Sequence, residues 1–332
     1  DLDIKGLGFK PDLVWMKPRS AANDHVLVDA VRGVTKRLFS NLTNAESTAA
    51  ESLKTFNSDG FTLGDHSSVN TSNVTHVAWN WDAGTSAGTV KSGATGQTIT
   101  ASNSWYNQTS GFEILKYSGT GSAGKIGHNL NAPPAFIIIK QTSDHSSTGN
   151  GDGNWLVGHD GIGAGSGRLI LNGTYANETS SAAAHWNSTT PTNELFGLGT
   201  SGNVNGSGST YAAYLWTAIP GYSAFGSYEG NGSTDGTFVY TGFRPRYILY
   251  KNADNSGRSW FVHDTERSPT NGGVIYITAN QASTEGTNIG GDLDLLSNGF
   301  KWRTANNDQN NNGDTFIYAC FAESPFKTAR AR

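Results

Sequence analysis

The chain has 332 residues, 15% of them charged, with a net charge of −4, 42 glycines and one cysteine. Scattered Lys and Arg exclude an electrostatic nucleic-acid surface, and a lone Cys320 excludes an internal disulfide or a thiolate metal cluster. No stretch approaches the roughly 20 apolar residues of a membrane-spanning helix, while an 11% aromatic share separates the chain from disordered sequences.

A strand pattern begins at Pro11, where an apolar run from Leu13 closes on Lys17. A second strand, His25-Val26-Leu27-Val28-Asp29, ends in aspartate, and a short aliphatic strand lies near Arg37 to Phe39. The Ala- and Glu-containing stretch Asn44 to Leu53, with Thr43 or Asn44 as N-cap, predicts one short helix. Asp59-Gly60 signals a hairpin turn into Phe61-Thr62-Leu63. His76-Val77-Ala78-Trp79-Asn80-Trp81 closes the copy with Trp79 and Trp81 on one face. Residues 1–84 form this first copy. Residues 85–110 are rich in Gly, Ser and Thr and read as a linker.

The pattern returns twice. Residues 111–219 carry an opening strand at Gly111 to Tyr117, the run Ala135 to Lys140, Trp155 to Asp160, Arg168 to Leu171, Leu195 to Gly199 and Tyr211 to Trp216. Residues 220–332 carry Tyr222 to Tyr228, Arg246 to Lys251, Trp260 to Asp264, Val274 to Ile277, Ser297 to Trp302 and Phe316 to Phe321. The first copy lacks the opening strand, which leaves an edge for a preceding segment or a subunit contact to fill. The expected fold is all-β: three tandem β-sandwich repeats, jelly-roll or lectin-like, with little helix.

Candidate chemistry is sparse. Lys17 with Asp29, Lys140 with Asp160 and Lys251 with Asp264 recur in every copy, which suits a structural ion pair better than a catalytic one. Asp292, Asp294, Glu266 and Glu323 are the candidate carboxylates for glycoside hydrolysis, without a motif to join them. The eight histidines, His25, His66, His76, His128, His145, His159, His185 and His263, lack a two-histidine zinc spacing. Asn306 to Asp314 is rich in oxygen ligands and suits either calcium or a polar hairpin loop. Trp105, Tyr106 and Trp186 lie in polar stretches and are the candidate glycan contacts. No cofactor is expected.

Five phrases carry a family likeness: Trp79-Asn80-Trp81-Asp82-Ala83-Gly84-Thr85-Ser86, Val31 to Lys36, Phe196 to Gly202, Tyr240 to Pro245 and Phe321 to Lys327. The chain resembles the Gly-rich repeat module of tail-fibre and other virion structural proteins of marine bacteriophages, cyanophages included. The resemblance implies a lectin-like sandwich in a virion or extracellular setting. The implied role is a tail-fibre or appendage module that self-associates, as a homotrimer by analogy with fibres, alongside other virion proteins. It would contact host-surface glycan without inserting into a membrane. A capsid decoration or head fibre, a polysaccharide depolymerase and a cellular surface-filament or adhesin subunit are the alternatives.

Overall fold

Strands form where β-branched and aromatic residues run between turns rich in Gly and Asn. The computed structural model describes residues 1–84, 90–149, 151–273, 275–287 and 293–325. The first copy contributes β1 (Leu2–Lys5), β2 (Leu13–Pro18), β3 (Val26–Asp29), β4 (Lys36–Arg37), β5 (Ser47–Thr48), β6 (Leu53–Asn57), β7 (Gly60–Leu63) and β8 (His76–Trp81). β9 (Asn103–Asn107) follows. The second copy contributes β10 (Phe112–Ser118), β11 (Gly124–Gly127), β12 (Phe136–Gln141), β13 (Trp155–His159), β14 (Leu169–Ile170), β15 (Leu195–Leu198) and β16 (Thr210–Trp216). The third contributes β17 (Ser223–Glu229), β18 (Phe238–Tyr240), β19 (Pro245–Asn252), β20 (Trp260–Asp264), β21 (Ile275–Thr278), β22 (Gly286–Thr287), β23 (Leu293–Leu296), β24 (Gly299–Trp302) and β25 (Thr315–Ala322).

The second and third copies each build one larger and one smaller sheet from antiparallel strands, and the two sheets of the first copy, with three strands each, correspond to these. The larger sheets run β3-β2-β8, β14-β13-β12-β16-β10-β9 and β17-β25-β19-β20-β21-β22. The smaller ones run β1-β7-β6, β11-β15 and β18-β24-β23. The architecture is all-β and sandwich-like. The lysine-ended strands β2 and β12 are buried at every residue, and β19 at all but Arg246. Their near-continuous apolar sequences follow from cover on both faces. Val14 and Met16, Ile137 and Ile139, and Ile248 and Tyr250 face three separate cores beneath the smaller sheets. The alternate residues Leu13 and Trp15, Phe136 and Ile138, and Tyr247 and Leu249 enter one core common to all three copies. Trp81 meets Trp216, Tyr247 and Phe321 there, at ring separations of 6.1, 5.7 and 5.7 Å. Burying each such side chain stabilises the fold by about 1.5–3 kcal/mol.

Two elements differ from the expectation. Asn44 to Leu53 is not a helix. It holds β5, paired with β4, and the start of β6, paired with β7, and the Glu46 amide reaches across a copy boundary to the Thr142 carbonyl (2.9 Å). Residues 103–107, placed in the linker, form β9 and pair with β10. The linker residues 85–89, and Val274 of the aliphatic strand, lie outside the described residues.

Corresponding polar contacts join the copies in a closed ring. Trp155 Nε1 donates to the carbonyls of Phe39 (2.9 Å) and Leu42 (3.1 Å). Trp260 Nε1 donates to Ile170 O (2.9 Å). His25 occupies the same register position in the first copy. Its Nδ1 accepts from Trp15 Nε1 at 2.9 Å, so Nε2 carries the proton that meets Thr278 O at 3.0 Å. Running the other way, the amides of Glu46, Asn177 and Glu285 donate to the carbonyls of Thr142, Ala253 and Arg19 at 2.9, 2.6 and 2.8 Å.

Buried ion pairs reinforce two of the three boundaries. Asp29 accepts from Arg32 Nε (2.5 Å) and from Tyr214 Oη of the second copy (2.7 Å). Asp264 accepts from Arg267 Nε (2.6 Å) and from Trp79 Nε1 of the first copy (3.0 Å). Strand register puts His159, not Asp160, at the matching position: Leu13, Phe136 and Tyr247 face Asp29, His159 and Asp264. His159 Nε2 makes the third boundary contact, to Tyr318 O at 3.1 Å. Removing one partner of a buried pair strands the other charge. Arg267→Met should therefore lower unfolding stability in urea by about 3–5 kcal/mol, whereas Arg246→Met, from the exposed pair with Glu266, should cost less than about 1 kcal/mol. Equal losses would refute a special role for the boundary pair.

Candidate functional site

The repeated lysines and aspartates are not paired with each other. In each hairpin they sit at opposite ends, since Leu13 faces Asp29 while Lys17 lies beyond the Met16–Val26 pair. The aspartates of the first and third copies bind arginine instead, and Asp160 is exposed. The lysines Lys17, Lys140 and Lys251 are wholly buried. Backbone carbonyls hold their ammonium groups: Pro18 (2.7 Å) and Ala282 (3.3 Å) for Lys17, Thr43 (2.8 Å) and Gly153 (2.6 Å) for Lys140, Asn252 and Arg258 (both 2.9 Å) for Lys251. Burial pushes Lys17 and Lys251 down to about 8 and Lys140 down to about 7. Lys17 and Lys140 thus pin a neighbouring copy, whereas Lys251 ties its strand end to its own copy.

Other candidate groups are also engaged. Asp294, Glu266 and Glu323 pair with Arg303, Arg246 and Arg244 respectively and do not converge, and Asp292 lies outside the described residues. His25, His128, His159, His185 and His263 are buried, and four of them meet a backbone carbonyl. Among the described residues no three His, Cys, Asp or Glu side chains gather as a metal site. In the Asn306–Asp314 loop, buried Asn310 donates to Asn231, Ser233 and Thr304, and Asp314 accepts from Asn252, Asn255 and Asn311. Asn205 plays the corresponding part in the second copy, bonding Ser122 and Gly199. The Asn310 amide group and the Asp314 carboxylate therefore organise the chain reversal. Glu113 is buried, and burial pushes its carboxyl up to about 7. Ser104 (2.6 Å) and the Asn129 amide (2.6 Å) occupy its oxygens.

The proposed glycan aromatics separate. Trp186 is 2% exposed, donates to Gly167 O at 2.9 Å and packs on Gly158, so it is a core residue. Trp105 is half-buried against the common core, with the Lys10 ammonium 4.5 Å above its ring. Tyr106 is half-buried on β9.

Among the described residues three aromatic side chains face outward: Tyr175, 60% exposed, and a pair on β18. Phe238 is 43% and Tyr240 67% exposed, with buried Val239 between them. Alternation along the strand sets both rings on one face. Phe238 stands opposite Lys301, and Tyr240 opposite Gly299. Asp235 links Lys301 (2.8 Å) to Arg303 (3.4 Å), and Arg303 continues to Asp294 (2.6 Å). The matching positions carry Asp3 and Lys5 on β1, and Lys125 and Gly127 on β11. Among the described residues the third copy therefore exposes a pair of rings on one strand, beside a network of charged donors and acceptors. Aligning the copies on Phe61, Phe196 and Phe300 would have exposed this difference in the sequence. Two depressions, beside Trp186 and beside His263, each have room for about one water. The arrangement suits a shallow ligand.

One protein family, described as a domain of unknown function (DUF7483), matches residues 1–325. No curated protein and no solved structure matches the chain.

The buried lysines predict a pH dependence. The folded chain releases the Lys140 proton near pH 7, the unfolded chain near 10.5. Between those values the unfolded state binds more protons, so stability rises with pH, and the full cost of burying the cation is present below pH 7. Lys17 and Lys251 act alike from about pH 8. Urea unfolding between about pH 7.5 and 9.5 should show this rise, and Lys140→Met should reduce its slope by roughly 1 kcal/mol per pH unit. An unchanged slope would contradict the assignment.

Proposed function

We propose a function for this chain, which belongs to the DUF7483 family: it is a virion structural module, of tail-fibre or appendage type, that contacts host-surface glycan through the outer face of its third copy. On this reading the three copies are sandwich-like units closed around one axis. The threefold element that a homotrimeric fibre assembles from three chains is then carried within one. Lys17, Lys140, Asp29 and Asp264 serve the closure, and Lys251 ties its own copy, which engages the recurring charged groups in holding the fold together. Self-association, virion neighbours and a glycan are the partners this role implies.

The observation that carries the glycan part is the Phe238 and Tyr240 pair. Exposed aromatic rings are costly to keep in water and suit stacking on the apolar face of a sugar ring. The adjacent Asp235, Lys301 and Arg303 supply donors and acceptors for hydroxyl groups. A shallow face of this kind binds weakly, and many copies on one particle would multiply the contacts. The resemblance of five sequence phrases to those of marine phage virion proteins supports the setting.

A glycan array probed with the 332-residue chain tests the assignment. Binding should appear on host-derived surface glycans, and the double variant Phe238→Ala, Tyr240→Ala should bind about tenfold more weakly while unfolding as the wild type does. Retained binding in the double variant would move the site elsewhere. Silence on every host glycan would remove the adhesive role, and release of soluble product would favour a depolymerase.

A further inference from the structure

The outer edge of β8 is open where its counterparts are closed. Trp79, Tyr214 and Ala319 correspond, since they face Trp15, Ile138 and Leu249 in register. β16 has β10 on its far side and β25 has β17. Among the described residues β8 pairs with β2 alone.

Hydrogen-bond phase shows which groups are left over. The Arg19 amide donates to Thr75 O at 2.7 Å, so Val77, Trp79 and Trp81 exchange bonds with β2. The N–H and C=O groups of His76, Ala78 and Asn80 therefore turn to the open side. In β16 the same phase, set by Thr217 donating to Gly111 O and Gly119 to Ser209 O (both 2.8 Å), directs Ala213 and Leu215 to β10. Exposure agrees: β16 is buried from Tyr211 to Trp216, whereas His76, Val77, Ala78 and Asn80 are half-exposed.

Side chains cover this edge incompletely. Asn80 Nδ2 curls back to the Ala78 carbonyl at 3.1 Å, a contact that blunts a free strand edge. Asn80 Oδ1 and His76 Nε2 are enclosed without a hydrogen-bond partner. Val77 packs only partly against the common core.

We propose that this edge is an acceptor for one antiparallel β-strand carried by another polypeptide. The sister copies define the occupant. It is extended, about seven residues long, and alternates apolar with polar side chains. Its inward positions correspond to Phe112 and Ile114 of β10 and to Phe225 of β17, all of which pack on the common core. Such a strand satisfies the three outward amides and carbonyls and covers Val77. The module thereby gains a directional joint through which a virion neighbour is held. The site is independent of the aromatic face on β18.

Two synthetic peptides, residues 111–118 and 222–229 of this chain, serve as probes against the intact 332-residue chain. At least one should bind saturably at one site and slow hydrogen exchange at the amides of His76, Ala78 and Asn80 by about tenfold, with little change at Val77 and Trp79. Ala78→Pro removes an outward N–H without taking a bond from β2, and it should abolish binding. A peptide N-methylated at its edge-facing amides should also fail on the wild-type chain, which keeps the test decisive where Ala78→Pro does not fold. No protection by either peptide at millimolar concentration, protection at other strands, or binding that survives both changes would overturn the proposal.

Discussion

The fold depends on three sheets sharing one apolar core. Each lysine-ended strand must bury both faces, one against its own smaller sheet and one against its neighbours. A strand so placed cannot end in solvent. Its terminal lysine is carried inside and must be met by carbonyls, two of which, at Ala282 and Thr43, come from a neighbouring copy. The buried Asp–Arg pairs follow from the same constraint. An isolated carboxylate at a boundary would be too costly, so Arg32 and Arg267 neutralise Asp29 and Asp264 while a tyrosine or tryptophan from the next copy completes the bonding.

Departures from the repeat carry the specific properties of this chain. His25 replaces a tryptophan, yet keeps a ring N–H aimed at the neighbouring carbonyl. Burial drives its pKa down to about 3, so it serves as a neutral donor. His159 replaces an aspartate and dispenses with an arginine partner, because a neutral imidazole needs no counter-charge. These substitutions conserve the joint. The exposed rings on β18 and the open edge of β8 conserve nothing that the joint needs, and they lie on the outside of the molecule.

Much of the framework was legible from residue order. The proline-to-lysine runs, the tryptophan- and histidine-led strands and the aromatic closing strands are all strands of the larger sheets. Among the described residues β8 has the single neighbour β2. The helix expected at Asn44 to Leu53 gives way because the backbone there pairs with β4, β7 and the Thr142 carbonyl, partners that local Ala and Glu content does not show. Trp186 was placed in a polar stretch, and Gly158 beneath its ring shows why it is instead buried: a residue without a side chain makes the room.

Sequence alone determined the β class and the places of most strands of the main sheets, since these depend on alternation and turn residues within short windows. Tertiary structure decided what the recurring residues are for. Lys17 and Asp29 are neighbours in a pattern but stand at opposite ends of a hairpin, and each is satisfied partly from another copy. It also set His159 in place of Asp160, a one-residue difference invisible without strand register. Partners distant in sequence are chosen by packing, and no local spacing encodes them.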